Sequence, residues 1–339
     1  MSTPPLQHSL SPLAERLEHA VRRALPLWSL SPASDVSLLA ISENVTWLVS
    51  DAASDRRVVI RVHRPGYHTK AEIESEHAWI HALRERGTVD TPALVPLRDG
   101  GWLGQISDGD LTRYAVAFEF MTGRAPAETE DLTNWFMRLG GISARLHQHA
   151  RTWPLPAGFT RKSWNYDTTV GPIHYWGEWQ NALGLHELGP EARALLQRVC
   201  ECLHRRLACY GETLDRFGLV HADLRLANLL VDGERLGVID FDDCGFSWHM
   251  YDFAAAVSFF EHSPVVPALM DAWIAGYAAV HPLAAEHVNE IPVMVMLRRM
   301  LLTAWIATHA ETPTAQAAGI GAYTHGTLAL AEIFLTRYG

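Results

Sequence analysis

The chain has 339 residues, with 28 lysines and arginines against 38 acidic residues, for a formal charge of −10. Hydrophobic residues make up 48% and charged residues 19%, and mean hydropathy is −0.02. That composition excludes a disordered chain, and the length suits two lobes better than one small domain. No basic run stands out, which argues against a nucleic-acid partner.

Four cysteines (Cys200, Cys202, Cys209 and Cys244) are too few and too bunched for a disulfide framework. The N-terminal MSTPPLQHSLSPLAERL lacks a charged segment followed by an apolar one, so no signal peptide is expected. The longest apolar stretch is read around Phe253–Phe260, far too short for a bilayer. The expectation is a cytoplasmic protein with no membrane partner, a monomer or homodimer.

In chain order, Leu13–Leu25 has apolar residues at helical spacing. Val36–Ala40, Thr46–Ser50 and Arg57–His63 are short β-branched runs separated by Ser, Asp and Asn clusters, and predict successive antiparallel strands. Lys70–Glu85 predicts a helix, and Leu94–Leu97, Trp102–Gln105 and Arg113–Phe120 further strands. Strands, one inserted helix and strands again give a small α+β lobe. From Asp131 the pattern is mainly helical: Leu132–His149, then a Trp-, Pro- and Gly-rich stretch over Thr152–Gly184, then a long helix over Pro190–Phe217. The Trp-rich stretch reads equally as a cover over substrate or as packed irregular structure. Leu229–Val231 and Gly237–Ile239 flank Asp232-Gly233, a strong hairpin turn. Tyr251–Tyr338 reads as helical.

The segment LVHADLRLANLLVDGERLGVIDFDDCGFSWHMYDFA, Leu219–Ala254, carries the chemistry. Asp223 precedes Asn228 by five residues, and the hairpin returns the chain to Asp240. Between Val220 and Glu261, eight acids against two arginines leave a local charge of about −6. Phosphoryl transfer explains such a layout: a carboxylate orients the attacking hydroxyl and takes its proton, and hard oxygen ligands hold Mg²⁺ beside the phosphates. Asp223 fits the first role, Asn228 and Asp240 the second.

His221-Ala-Asp223-Leu-Arg-Leu-Ala-Asn228 resembles the H-x-D-x-x-x-x-N loop of protein-kinase-like enzymes. The set HADLRLANLLV, GVIDFDD and YDFA is similar to the superfamily of aminoglycoside phosphotransferases, choline kinases and type II homoserine kinases. That resemblance, spanning about Ser31 to Ala254, implies a bilobal protein-kinase-like fold, α+β in class, with ATP and Mg²⁺ as cofactors. A small antiparallel-sheet lobe would bind nucleotide, and a larger, mainly helical lobe would carry the catalytic loop and acceptor site. The expected organisation is a helical extension over 1–30, the nucleotide lobe over 31–121 and the helical lobe over 122–339.

In the small lobe, Ile41-Ser42-Glu43-Asn44-Val45-Thr46 resembles the superfamily's phosphate-facing turn, implying that Ser42 and Asn44 contact nucleotide. The strand Val58–Val62 should carry a phosphate-gripping lysine by resemblance, but Arg61 stands there; Lys70 and Lys162 are the only lysines in the chain. Arginine keeps the charge with a different geometry, so Arg61 is read as the replacement, and the resemblance implies Glu76, fifteen residues on, as its partner. By the same resemblance, the main chain of Glu119 and Met121 would hold the adenine. His147, at the end of LGGISARLH, reads as a packing and hydrogen-bonding residue.

For the acceptor, Asp242 and Asp243 beside the expected metal ligand, with Trp248 and Tyr251 nearby, suit a cationic amine through ion pairing and cation–π contact. The expectation is a small-molecule acceptor such as homoserine, choline, a hydroxylysine-like amino alcohol or an aminoglycoside. Val59–Leu83 also resembles bacterial stress-response Ser/Thr kinases of this fold, which leaves a protein acceptor as the alternative. A nucleotide-binding pseudokinase is a third reading, supported only by the missing strand lysine.

Overall fold

A computed structural model describes residues 12–41 and 44–339, so Ser42, one of the expected phosphate contacts, lies outside the described residues. The chain forms two units. The first holds the described residues up to His81 together with Pro92–Met121; the second holds Ala82–Thr91 and Thr122–Gly339.

The first unit opens with helix α1 (Pro12–Ala24) and a short turn, Leu25–Trp28. Strands β1 (Asp35–Ile41), β2 (Val45–Asp51) and β3 (Arg56–Val62) follow, then helix α2 (Lys70–Glu85) and strands β4 (Leu94–Val95), β5 (Gly104–Asp108) and β6 (Leu111–Glu119). All pairings are antiparallel, in the order β1-β2-β3-β6-β4, with β5 also on β6. Alternation along β3 sends Val58, Ile60 and Val62 into the core and Arg61 to the other face. Leu17, Val21 and Trp28 share that core with Trp47, Val49 and Ile60, so α1 is part of it rather than an appendage. Arg16 Nε holds Asp108 Oδ1 at 2.5 Å, tying α1 to β5. A reciprocal cap starts α2: the Glu72 carboxylate accepts the Thr69 N–H at 2.7 Å, and Thr69 Oγ1 accepts the Glu72 N–H at 3.2 Å.

The second unit is mainly helical. It contains α3 (Thr133–Thr152), the short α4 (Tyr166–Thr169) and α5 (Gln180–Leu185), and α6 (Pro190–Tyr210). Next come β7 (Phe217–Val220), β8 (Leu229–Asp232), β9 (Arg235–Val238) and β10 (Gly245–Trp248). Helices α7 (Tyr251–Ala256), α8 (Val266–Ala278), α9 (Ala285–Thr308), α10 (Pro313–Ala318) and α11 (Ile320–Tyr338) complete it. β8 and β9 form the hairpin expected around Asp232-Gly233, and β7 pairs antiparallel with β10.

Two expectations are corrected. The helix expected to reach Phe217 stops at Tyr210, where Gly211 takes a φ of +74° open to glycine, and Phe217 begins β7 instead. The strand expected at Trp102–Gln105 begins at Gly104 and runs to Asp108. In the Trp-rich stretch, Trp164, Trp176 and Trp179 are buried.

Helix α9 has the length and apolar content of a membrane span, but 78% of its most apolar window is buried in the protein. It carries two adjacent, fully buried arginines, Arg298 and Arg299. Its apolar length therefore reflects a core position.

Candidate active site

In the second unit, β7 delivers the chain into His221-Ala222-Asp223, and a single turn of 3₁₀ helix, Leu226–Asn228, leads on to the β8–β9 hairpin. The hairpin's return is stitched to the loop by the Ile239 N–H on the Asn228 carbonyl, 3.0 Å, and Asp240 follows immediately. Sequence neighbours 12 residues apart are thereby placed side by side.

Asp223 is buried, and both carboxylate oxygens are held. Oδ1 accepts from Arg298 Nη2 at 2.6 Å; Oδ2 accepts from Asn228 Nδ2 at 2.7 Å and Arg225 Nε at 3.2 Å. A carboxylate has about four lone-pair sites, so these three donors leave room for a substrate hydroxyl. Asn228 Nδ2 also donates to the Asp223 carbonyl, 2.8 Å. With its donor end committed to Asp223, the amide offers its oxygen as a ligand. That oxygen and the exposed Asp240 carboxylate are the hard donors Mg²⁺ takes, so the residues fit such an ion.

The loop backbone is strained where the chemistry is expected. Ala222 has φ +66° and Asp240 φ +63°, a region that costs a non-glycine residue about 1–2 kcal/mol. The Ala222 N–H is caught by Asp252 Oδ1 at 2.8 Å, and its carbonyl by Arg298 Nη1 at 3.3 Å. Burial pushes the Asp252 carboxyl up to about 6, with His221 and the Ala222 amide opposing. His221 accepts the Asp223 N–H at Nδ1 (3.3 Å), and its Nε2 lies 3.1 Å from the Ile239 carbonyl. Desolvation lowers its pKa, so the neutral ring bridges the loop to the hairpin with its proton on Nε2. His147 Nε2 meets Asp252 Oδ2 at 2.9 Å, and Nδ1 lies 3.1 Å from the Tyr277 hydroxyl; this is the hydrogen-bonding role read from the sequence.

Asp242 is buried and Asp243 half-buried on the loop after Asp240. Arg161 donates to the main-chain carbonyls of Asp242 and Cys244, and Trp164 Nε1 to that of Asp243 at 2.7 Å. The Trp-rich stretch thus braces this acidic loop from behind. Tyr251 is fully buried, and its hydroxyl accepts from Arg298 Nη1 at 3.3 Å. Trp248 takes no part in this cluster: it is buried, with its indole N–H on the Gly211 carbonyl at 2.8 Å and its ring edge-on to Phe217.

In the first unit, Arg61 Nη2 meets both Glu76 oxygens, at 2.7 and 2.6 Å, with both side chains buried. The guanidinium lies 5.3 Å from the Phe118 ring centre. Asn44 Oδ1 accepts the Arg64 N–H at 3.1 Å, fixing the end of the β2–β3 ladder. Glu119 ends β6; its N–H is taken by the Ala93 carbonyl at 2.8 Å and its side chain by Arg56 at 2.9 Å. Any adenine contact from Glu119 therefore falls to its carbonyl. Met121 is the last residue of this unit.

Sequence reasoning missed Arg298, which lies 75 residues from Asp223 on another element. The available signal was the Arg-Arg pair inside an otherwise apolar run: a cation on a buried helix needs a carboxylate.

An antiparallel sheet with a buried Arg–Glu pair, and a helical unit with an Asp-x-x-x-x-Asn loop, define a kinase-type phosphotransferase. The model of the phosphotransferase enzyme family (APH) matches residues 36–287, and the chain belongs to that family. The solved structure of a microcompartment-associated aminopropanol kinase is 42% identical and superposes with a TM-score of 0.86, covering 95% of this chain and 98% of that one. Amicoumacin kinase from Bacillus subtilis is 26% identical over 242 residues, 67% of each chain. An amicoumacin kinase solved with AMP-PNP, Ca²⁺ and Ami shares the fold, at 21% identity, a TM-score of 0.74 and coverage of 93% and 95%. The fold is protein-kinase-like, and the chain is a small-molecule kinase; ATP use follows from the family. Nothing in these likenesses favours a protein acceptor.

Proposed function

We propose that this enzyme transfers the γ-phosphoryl group of ATP, with Mg²⁺, to the hydroxyl of a small amino alcohol that carries no carboxylate. The observation that carries this reading is the 42% identity, sustained over 95% of the chain, to an aminopropanol kinase. The site's charges support it. Arg225 and Arg298 are engaged by Asp223, and Arg161 by main-chain carbonyls. The guanidiniums around this loop are thus committed to the protein, while Asp240, Asp242 and Asp243 concentrate negative charge on it. Such a site favours an ammonium and disfavours the carboxylate of homoserine.

In this mechanism Asp223 orients the acceptor hydroxyl and accepts its proton as the new oxygen–phosphorus bond forms and the bond to ADP breaks. Asn228 and Asp240 would hold Mg²⁺, which when bound neutralises phosphate charge. Arg61, steadied by Glu76, grips the phosphates; the turn at Ser42 and Asn44 and the main chain of Glu119 and Met121 complete the nucleotide's contacts. Residues 31–121 serve the nucleotide and 122–339 the acceptor. Rate comes from positioning and charge neutralisation.

The test is ADP release with Mg-ATP against 1-amino-2-propanol, ethanolamine, choline, homoserine, hydroxylysine, an aminoglycoside, 1,2-propanediol and a generic protein. Release with the simple amino alcohols, and little with homoserine or the diol, is expected. Equal use of the diol would remove the ammonium from the reading, and release with protein alone would replace it.

A further inference from the structure

Arg298 is 2% exposed on α9, and its one ion-paired carboxylate among the described residues is Asp223. Nη2 holds Asp223 Oδ1, Nη1 reaches both the Ala222 carbonyl and the Tyr251 hydroxyl, and Nε donates to Ser258 Oγ at 3.2 Å. The Trp176 and Tyr251 rings flank the guanidinium, their centres 5.3 and 5.7 Å from Cζ. One planar group therefore grips the carboxylate and the strained peptide that precedes it.

We propose that Arg298 is a positioning residue for phosphoryl transfer: it sets the orientation of the Asp223 carboxylate by holding Oδ1 and the left-handed Ala222 peptide together. The inference rests on the reading of Asp223 as the group that orients the acceptor hydroxyl. Asn228 and Arg225 fix only Oδ2, which leaves rotation about the bond to the carboxylate unconstrained from the other side. A fork with two donors on neighbouring acceptors removes that freedom, which an ammonium with its rotating donors does not.

The adjacent residue supplies a control. Arg299 is equally buried and pairs with Glu261 Oε2 at 2.6 Å, while Nε donates to Thr327 Oγ1 and Nη2 to the Tyr323 carbonyl. It makes a buried ion pair of the same kind on the same helix, with Glu261 between α7 and α8 and its other donors on α11, rather than with the catalytic loop.

The experiment compares Arg298→Lys, Arg298→Ala, Arg299→Lys and Asp223→Ala by melting temperature and by steady-state kinetics with the best acceptor. Misplacement of a reacting group by about 1 Å costs about 100-fold. Arg298→Lys should lose kcat on that order with the KM for ATP nearly unchanged, whereas Arg299→Lys should lose melting temperature but keep kcat. Millimolar guanidinium should restore part of the kcat of Arg298→Ala and do nothing for Arg299→Lys. If Arg298→Ala fails to fold, the split between the two lysine variants decides alone. Wild-type kcat in Arg298→Lys, or equal kcat losses in both lysine variants, would overturn the proposal. Full activity in Asp223→Ala would instead overturn the reading on which it rests.

Discussion

Asp252 Oδ1 accepts the Ala222 N–H at 2.8 Å across 30 residues of sequence, so the tripeptide Asp252-Phe253-Ala254 and the loop carrying Asp223 are one buried construction. The same carboxylate takes His147 Nε2 on its other oxygen. Asp252→Ala would leave the Ala222 amide without its acceptor and release a strained residue. The expected loss is about 1–3 kcal/mol, the range for leaving a buried donor unsatisfied, with kcat falling in parallel. Denaturant unfolding measures the first; an unchanged midpoint would contradict this account of the loop.

Asp223→Asn should lower turnover by orders of magnitude, but it will not be structurally silent. Burial works against the Arg298 cation, and Tyr251, Asp223 and Asp243 together outweigh it, leaving its pKa raised. Removing the carboxylate charge strands a buried guanidinium. A melting temperature clearly below wild type is therefore expected, and Asp223→Asn combined with Arg298→Met should recover part of it. No change in melting temperature in the single variant would show that the pair contributes nothing to stability.

For nucleotide handling, Arg61→Ala should raise the KM for ATP and destabilise the first unit, since it leaves Glu76 buried without its partner. Arg61→Lys retains the charge and should keep much of the activity. Equal losses in the two variants would show that the fork geometry, rather than charge, is what the nucleotide requires.

Acid should destabilise the fold below the ordinary histidine range. Desolvation lowers the pKa of His147, His221 and His249, so below about 6.5 the unfolded chain binds protons that the folded chain refuses. Stability from these groups is full above that value and falls as pH drops beneath it. Asp252 has the opposite sign: raised to about 6 from 3.8, it favours the folded state as pH falls through that window. His149, His281 and His287 are lowered as well, and Glu212 joins Asp252 on the other side, so melting temperature should fall between pH 7.5 and 5.5. A rise over that interval would contradict the assignment of neutral buried imidazoles.

Helices α3 and α8 meet at two glycines. A Cβ on Gly140 would run into the Trp273 carbonyl, and one on Gly276 into the Met137 carbonyl. Because the obstacle is backbone on both sides, Gly140→Ala should cost about 1–3 kcal/mol or more, the range for overpacking, although alanine is the better helix former. Stabilisation in that variant would mean the helices can separate without penalty.

Much of the fold could be read from the sequence where local pattern decides. Helix α2 runs over Lys70–Glu85 as expected, and β1 to β3 agree to within a residue or two. Asp223 and Asn228 are in contact, as their spacing on one loop suggests, and Arg61 bonds Glu76, as the family resemblance implies. What escaped depends on distant partners. The β7–β10 pair joins two four-residue runs too short to declare themselves, and Arg298 acquires meaning only when α9 packs behind the loop. Trp248 shows the reverse: an aromatic beside the acids in sequence faces the end of α6 in space, with its polar atom on Gly211.

The central claim is that Asp223 serves phosphoryl transfer to a small amino alcohol. The most direct measurement is ³¹P NMR of a reaction with Mg-ATP and 1-amino-2-propanol, run with wild type and Asp223→Ala in parallel, after nucleotide binding has been verified for both. A new phosphomonoester resonance growing in step with ADP in the wild type, and absent with Asp223→Ala, is the predicted result. No phosphomonoester from the wild type, or an undiminished one from the variant, would contradict it.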